Sequence, residues 1–150
     1  MAMEISAATL DDIPQLCKLL ELLFSQEAEF APDRAIQAAG LRQIIAEPER
    51  GQIWVLRDGS SLLGMVNLLF TVSTALGGRV AILEDMVVHP SARGGGAGSQ
   101  LLQAAISAAQ SAGCRRITLL TDGSNEAAQR FYQRHGFTLS DMVPLRLMLT

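Results

Sequence analysis

Val80-Ala81-Ile82-Leu83-Glu84-Asp85-Met86-Val87-Val88-His89-Pro90-Ser91-Ala92-Arg93-Gly94-Gly95-Gly96-Ala97-Gly98-Ser99 is the stretch whose reading decides the fold. Residues 80–88 are apolar apart from two adjacent acids, rich in Val and Ile, and closed by Pro90. That is the pattern of a central strand. Four glycines between 94 and 98 then let the backbone turn sharply and approach a ligand with no Cβ in the way. From Ser99 the period becomes helical: Leu101, Leu102, Ala105, Ile106 and Ala109 form one stripe, and Gly113 marks the stop. A helix entered directly from a glycine loop presents free N–H groups and the positive end of its dipole, a site for an anion such as phosphate.

Two common phosphate loops do not fit. A Walker loop needs Lys after its last Gly, where this chain has Ser99 and Gln100. A dinucleotide fingerprint starting at Gly94 needs Gly or Ala at 99, which is Ser. Arg93-x-x-Gly96-x-Gly98 does fit another pattern. It resembles the Gln/Arg-x-x-Gly-x-Gly/Ala loop that binds the coenzyme A pyrophosphate in the GNAT superfamily of N-acetyltransferases, in the same strand–loop–helix order. The resemblance implies that Arg93, Gly94, Gly95, Gly96, Ala97, Gly98 and Ser99 bind acetyl-CoA.

The chain of 150 residues is long enough for one domain with a real core, and residues 1–150 are read as one. Apolar residues make up 49% and charged ones 18%, which favours a compact globule over disorder. The net charge is −3 with no basic run, which argues against a nucleic-acid partner. Cys17 and Cys114 lack metal-ligand spacing and read as reduced thiols; no metal is expected. His89 and His135 each sit beside a turn residue and read as loop or helix-end residues. The longest apolar run, Leu62–Phe70, is too short to span a membrane and contains Asn67. A cytoplasmic protein without a membrane partner is the expectation.

Along the chain, Glu4–Ala7 is a short strand, and Thr9 with Asp12 opens a helix bearing Ile13, Leu16, Cys17, Leu20 and Leu23/Phe24. A second helix from Pro32-Asp33 carries Ile36, Ala39, Ile44 and Ile45. Gln52–Arg57, Leu62–Thr74 and 80–88 form an antiparallel meander through Asp58-Gly59 and Gly77-Gly78, with Gly64 at a bulge. Helix 99–112, strand Arg116–Thr121, a helix from Ser124 or Asn125 to Arg134, and strands at Phe137–Leu139 and Leu145–Leu149 complete it. The fold class is α/β (α+β mixed): a central mixed, mostly antiparallel sheet of six to seven strands flanked by about four helices. The GNAT order matches it throughout. The resemblance also allows a homodimer paired through sheet edges.

Asn125-Glu126-Ala127-Ala128-Gln129-Arg130-Phe131-Tyr132-Gln133-Arg134-His135-Gly136-Phe137 is the second informative stretch. Physically it is an amphipathic helix with Ala128, Phe131 and Tyr132 on one face. Its Asn-x-x-Ala-x-x-Phe-Tyr-x-x-x-Gly-Phe pattern resembles the GNAT segment flanking the pantetheine arm. The resemblance implies that Tyr132 protonates the leaving thiolate and that Asn125 and Phe131 contact the coenzyme. It also gives the main chain of Met86, Val87 and Val88 to the acetyl carbonyl and the pantetheine.

Acyl transfer to an amine needs a base, and Glu84 and Asp85 are the acids inside the strongest strand. Alternation puts Glu84 on the face of Met86 and Val88, and Asp85 on the other, unless a bulge intervenes. Either could act as base or hold the ammonium, or serve a structural salt bridge. Acceptor contacts are expected from Phe30, Asp85 and Thr71. The function expected is acetyl transfer from acetyl-CoA to a small-molecule or peptide amine by direct attack in a ternary complex. A non-catalytic acyl-CoA-binding sensor is the alternative.

Overall fold

In a computed structural model, residues 3–25 and 33–150 are described. Their contacts fall into two compact units, Met1–Leu120 and Thr121–Thr150.

In the first unit, strand β1 (Met3–Ala7) leads through a short 3-10 turn into helices α1 (Ile13–Phe24) and α2 (Arg34–Ala46). Strands β2 (Gly51–Asp58), β3 (Ser61–Ser73) and β4 (Gly78–Val88) follow, then helix α3 (Ala97–Ser111) and strand β5 (Ile117–Leu119). The sheet order is β1-β2-β3-β4-β5. The first three pairings are antiparallel, and tight turns at Gly59 and Gly77 require it for β2–β3 and β3–β4. β4 and β5 are parallel, with α3 as the crossover. This is the mixed, mostly antiparallel sheet expected from the pattern.

Side chains alternate across the sheet, so each central strand feeds two cores. On one face, Val55 and Met65 pack with Leu16, Cys17 and Leu20 of α1 and Leu41 of α2. On the other, Leu101, Leu102 and Ala105 of α3 are fully buried. A Cβ on Gly64 would stand 3.2 Å from the Leu101 side chain and from the Val87 carbonyl oxygen, so glycine lets α3 sit close on β3. The bulge expected near Gly64 is there: β2 and β3 slip register between Leu56 and Arg57.

Asp12 bridges the start of α1 to β2. Its carboxylate accepts the Thr9 backbone N–H at 2.8 Å and both Arg57 terminal nitrogens at 2.9 Å. The Arg57 hydrogen bonds hold its carboxyl below the usual aspartate range despite burial. Gln15 ties α1 to the β2–β3 turn, donating to the Ser60 carbonyl and accepting from the Leu62 N–H, both at 2.8 Å.

In the second unit, α4 (Glu126–Arg134) starts at Asn125, whose side-chain oxygen accepts the Ala128 N–H at 3.1 Å.

Three expectations need correction. The sheet has five strands rather than six to seven: among the described residues neither Phe137–Leu139 nor Leu145–Leu149 is a strand. An apolar run makes a strand only where a ladder partner is available, and Pro144 cannot donate to one. The inward stripe of α2 is Ala38, Leu41, Ile44 and Ile45, while Ile36 in its first turn is 71% exposed. Finally, β5 is shorter than Arg116–Thr121.

Candidate active site

The ladder of β4 breaks on both sides. On the β5 side, pairing ends at Leu83↔Leu119, and the strand runs on to Val88 beyond its ladder with β5. On the β3 side, Asn67 pairs with Glu84 and Met65 with Val87. Asp85 and Met86 therefore stand opposite Val66 alone, a two-for-one bulge that leaves main-chain groups out of the ladder. Of the stretch Met86–Val88, expected to offer its backbone to an acyl group, Met86 lies at the bulge, while Val87 and Val88 stay paired with Met65 and Gly64 of β3.

The bulge also resets the faces of the two acids. Partners in a ladder share a face, so Glu84 joins Asn67, Met65 and Val87 on one side. The strict alternation that paired Glu84 with Met86 and Val88 does not survive. Asp85 is the extra residue and takes φ +54°, alone in the left-handed region among the described non-glycine residues. A short polar side chain tolerates that conformation where a branched apolar one would not.

The environments of the acids differ. Glu84 is exposed, whereas Asp85 is half-buried and its Oδ2 accepts a hydrogen bond from Asn67 Nδ2 at 3.3 Å. Burial pushes the Asp85 carboxyl up to about 6, the Asn67 hydrogen bond works against that rise, and the Glu84 charge adds to it. At neutral pH Asp85 is thus ionised, yet more basic than an ordinary aspartate. Asn67 is only 2% exposed, and its Oδ1 has no hydrogen-bond partner among the described residues. Sequence reasoning missed its part in the site. The available signal was one polar residue inside the apolar run Leu62–Phe70, since an amide is seldom buried without a task.

After β4 the chain passes a 3-10 turn, Pro90–Ala92, capped by the His89 ring nitrogen, which accepts the Ser91 N–H at 3.1 Å. Arg93 turns back, donating from Nε to the Val88 carbonyl at 2.9 Å, so it braces the strand end against the loop. Gly94 and Gly96 then take φ +88° and +82°. Gly96 is the N-cap of α3, and no side chain caps that helix. A Cβ added at Gly94, Gly95 or Gly96 would meet nothing within 4 Å. The loop is open and leads into a 15-residue helix without an ionisable side chain. Open backbone at a helix N-terminus suits a diphosphate.

Thr71 lies on β3 four residues beyond Asn67, roughly 13 Å along the strand, and is exposed; it is not brought to Asp85. Phe30 lies outside the described residues. In the second unit, Asn125 spends its side-chain oxygen on the helix cap, leaving the amide nitrogen for other contacts. The Tyr132 ring packs edge-on against Phe131 and Phe137 at centroid distances of 5.2 and 5.7 Å. Burial pushes its phenol up to about 12, so it carries its proton at neutral pH. Among the described residues no His, Cys, Asp and Glu group forms a metal site, and no helix is long and apolar enough to cross a membrane.

The acetyltransferase (GNAT) family matches residues 13–137 of the chain. The chain belongs to the GNAT family. Similar relatives include the uncharacterized N-acetyltransferase YhfO of Bacillus subtilis, 33% identical over 77% of this chain and 78% of that protein. Another is the aminoalkylphosphonate N-acetyltransferase of Salmonella typhimurium, 30% identical over 91% of this chain and 86% of that one. A solved putative acetyltransferase from Agrobacterium tumefaciens is 25% identical, covers 97% of this chain and 99% of its own, and has a TM-score of 0.81. A Clostridium acetobutylicum structure with acetyl-CoA, at 18% identity over 99% and 97% with a TM-score of 0.81, supports the shared fold. As a GNAT member the protein is an acetyl-CoA-dependent N-acetyltransferase.

Proposed function

We propose that residues 1–150 act as a single domain that acetylates the primary amine of a small molecule by direct attack within a ternary complex. Acetyl-CoA supplies the acyl group as a thioester, and the residues above fit it: an open glycine loop at an uncapped helix N-terminus. The main-chain amides from Gly94 to Ser99 bind its diphosphate. The backbone of Met86 at the bulge, with that of Val87 and Val88 on the edge away from β3, holds the acyl arm and donates to the acyl oxygen. Asp85 accepts the proton of the attacking nitrogen, the role open to it or Glu84. Tyr132 returns a proton to the departing sulfur, with Asn125 and Phe131 against the pantetheine.

The observation that carries this reading is the bulge, which puts a basic, half-buried carboxylate beside free main-chain groups in one strand. A relative at 30% identity is named for aminoalkylphosphonates, and another, from Trypanosoma brucei, for glucosamine 6-phosphate. Both are small amines bearing a phosphorus oxyanion, and that class is the first to try as acceptor. Isothermal titration with acetyl-CoA tests the first half of the proposal. Micromolar binding is expected, and no heat at millimolar ligand refutes it.

A further inference from the structure

The proton that Asp85 takes up must be held after it arrives, and Asn67 is the group placed to do that. A lone asparagine in the middle of a central strand, 2% exposed, is costly unless its polar atoms are used. Among the described residues one is: Nδ2 donates to Asp85 Oδ2, while Oδ1 finds no partner there. No second hydrogen bond therefore locks the amide in one orientation. A half-turn about its terminal bond exchanges oxygen for nitrogen at nearly constant shape. With Asp85 ionised, the amide donates to the carboxylate. With Asp85 protonated, the turned amide accepts the new O–H.

We infer that Asn67 is a positioning residue that holds Asp85 at the bulge in both of its protonation states by turning its side-chain amide. This rests on Asp85 being the base of the proposed reaction. The proton count closes: the proton leaves the substrate nitrogen, makes Asp85 a neutral acid hydrogen-bonded to Asn67 Oδ1, and passes to solvent as the amide turns back.

Among the described residues, burial, Asn67 and Glu84 set the titration of Asp85. Glu84 on the same strand is the charged neighbour. α1 turns Ile13, Leu16, Cys17 and Leu20 inward, and burial raises the Cys17 thiol and keeps it neutral. Of the ionisable residues of α1, Glu21 pairs with Arg34 at 2.7 Å and Lys18 is exposed. α3 carries no ionisable side chain. β3 contributes Asn67 and, across Ser61–Ser73, no charged residue.

The test is the carboxyl titration of Asp85, followed by carbon-13 NMR without substrate and assigned from its loss in Asp85→Asn. The native protein titrates near the value of about 6. Asn67→Leu, of similar branched shape, loses a charge-assisted hydrogen bond to the ionised form and only a weaker neutral one to the acid, so the midpoint moves up by about 1 pH unit. The acid limb of kcat/KM moves with it. Asn67→Ser, which is too short to reach, repeats the measurement should leucine disturb the core. An Asp85 midpoint unchanged in both variants, or a native Asn67 side-chain amide nitrogen-15 signal that does not change as Asp85 titrates, overturns the inference. Separately, an unchanged kcat/KM in Asp85→Asn refutes the base role itself, and the NMR result for Asn67 is read independently of it.

Discussion

Gly95 and Gly96 are neighbours in one open loop, and they separate stability from ligand binding. Alanine at either position places a Cβ that meets nothing within 4 Å, so neither substitution clashes in the free protein. Only Gly96 has a left-handed backbone, φ +82°, as the N-cap of α3. A non-glycine residue held there costs about 1–2 kcal/mol. For a chain of this size that lowers Tm by roughly 3–8 °C. Gly95→Ala carries no such penalty and leaves Tm unchanged or slightly raised, because the unfolded chain loses freedom. The amides that follow Gly96 keep their aim only while Gly96 holds its conformation. Relaxing it loses about one charge-assisted hydrogen bond to the diphosphate, worth roughly 1.5–3 kcal/mol. Isothermal titration should then show acetyl-CoA binding at least about 10-fold weaker in Gly96→Ala and within about 2-fold of native in Gly95→Ala. Equal losses in the two variants, or none in Gly96→Ala, would refute the assignment of diphosphate binding to the backbone geometry of this turn.

Asp85→Asn lowers kcat/KM by about 100-fold or more. The same change raises Tm at pH 8. The folded pKa of about 6 lies above the unfolded value, so ionised Asp85 costs stability fully above that pH, and the cost fades as pH falls toward the unfolded value. Native kcat/KM falls below about pH 6, where Asp85 takes up its proton. Tyr132→Phe reduces kcat more than it weakens acetyl-CoA binding; an unaltered kcat would remove the phenol from the chemistry. Arg57→Met breaks the two-pronged pair with buried Asp12 and costs about 2–4 kcal/mol by denaturant unfolding at pH 7. The Asp12 pKa is depressed in the folded state, so that contribution is present above the usual carboxylate range and disappears as pH falls through the folded value. A penalty that did not shrink in acid would show that the ion pair is not its source.

Local signals carried most of the fold. The tight turns at Asp58-Gly59 and Gly77-Gly78 announce a meander, and the passage from period two to period 3.6 across the glycines announces a strand, a loop and a helix. Non-local facts stayed hidden. The bulge at Asp85 arises from the register of β3 against β4, and no alternation within 80–88 reveals it. The Asp12–Arg57 pair joins residues 45 apart. Among the site residues, the glycine loop was legible because glycine itself marks the needed backbone. The different surroundings of Glu84 and Asp85 were not, because adjacent acids differ only in what the sheet packs around each. Asn67 stood out from its apolar neighbours, but its partner lies on another strand. The C-terminal runs misled because apolar, β-branched or leucine-rich sequence records a preference for pairing and says nothing of a partner.

The most direct test of the central claim is release of free thiol from acetyl-CoA in the presence of an aminoalkylphosphonate, glucosamine 6-phosphate and other small primary amines, at pH 8, with mass analysis of the acceptor. The account predicts thiol release matched mole for mole by N-acetylated amine, requiring both substrates and falling by about 100-fold or more in Asp85→Asn. Thiol release that proceeds equally without an amine, or equally fast in Asp85→Asn, would contradict it.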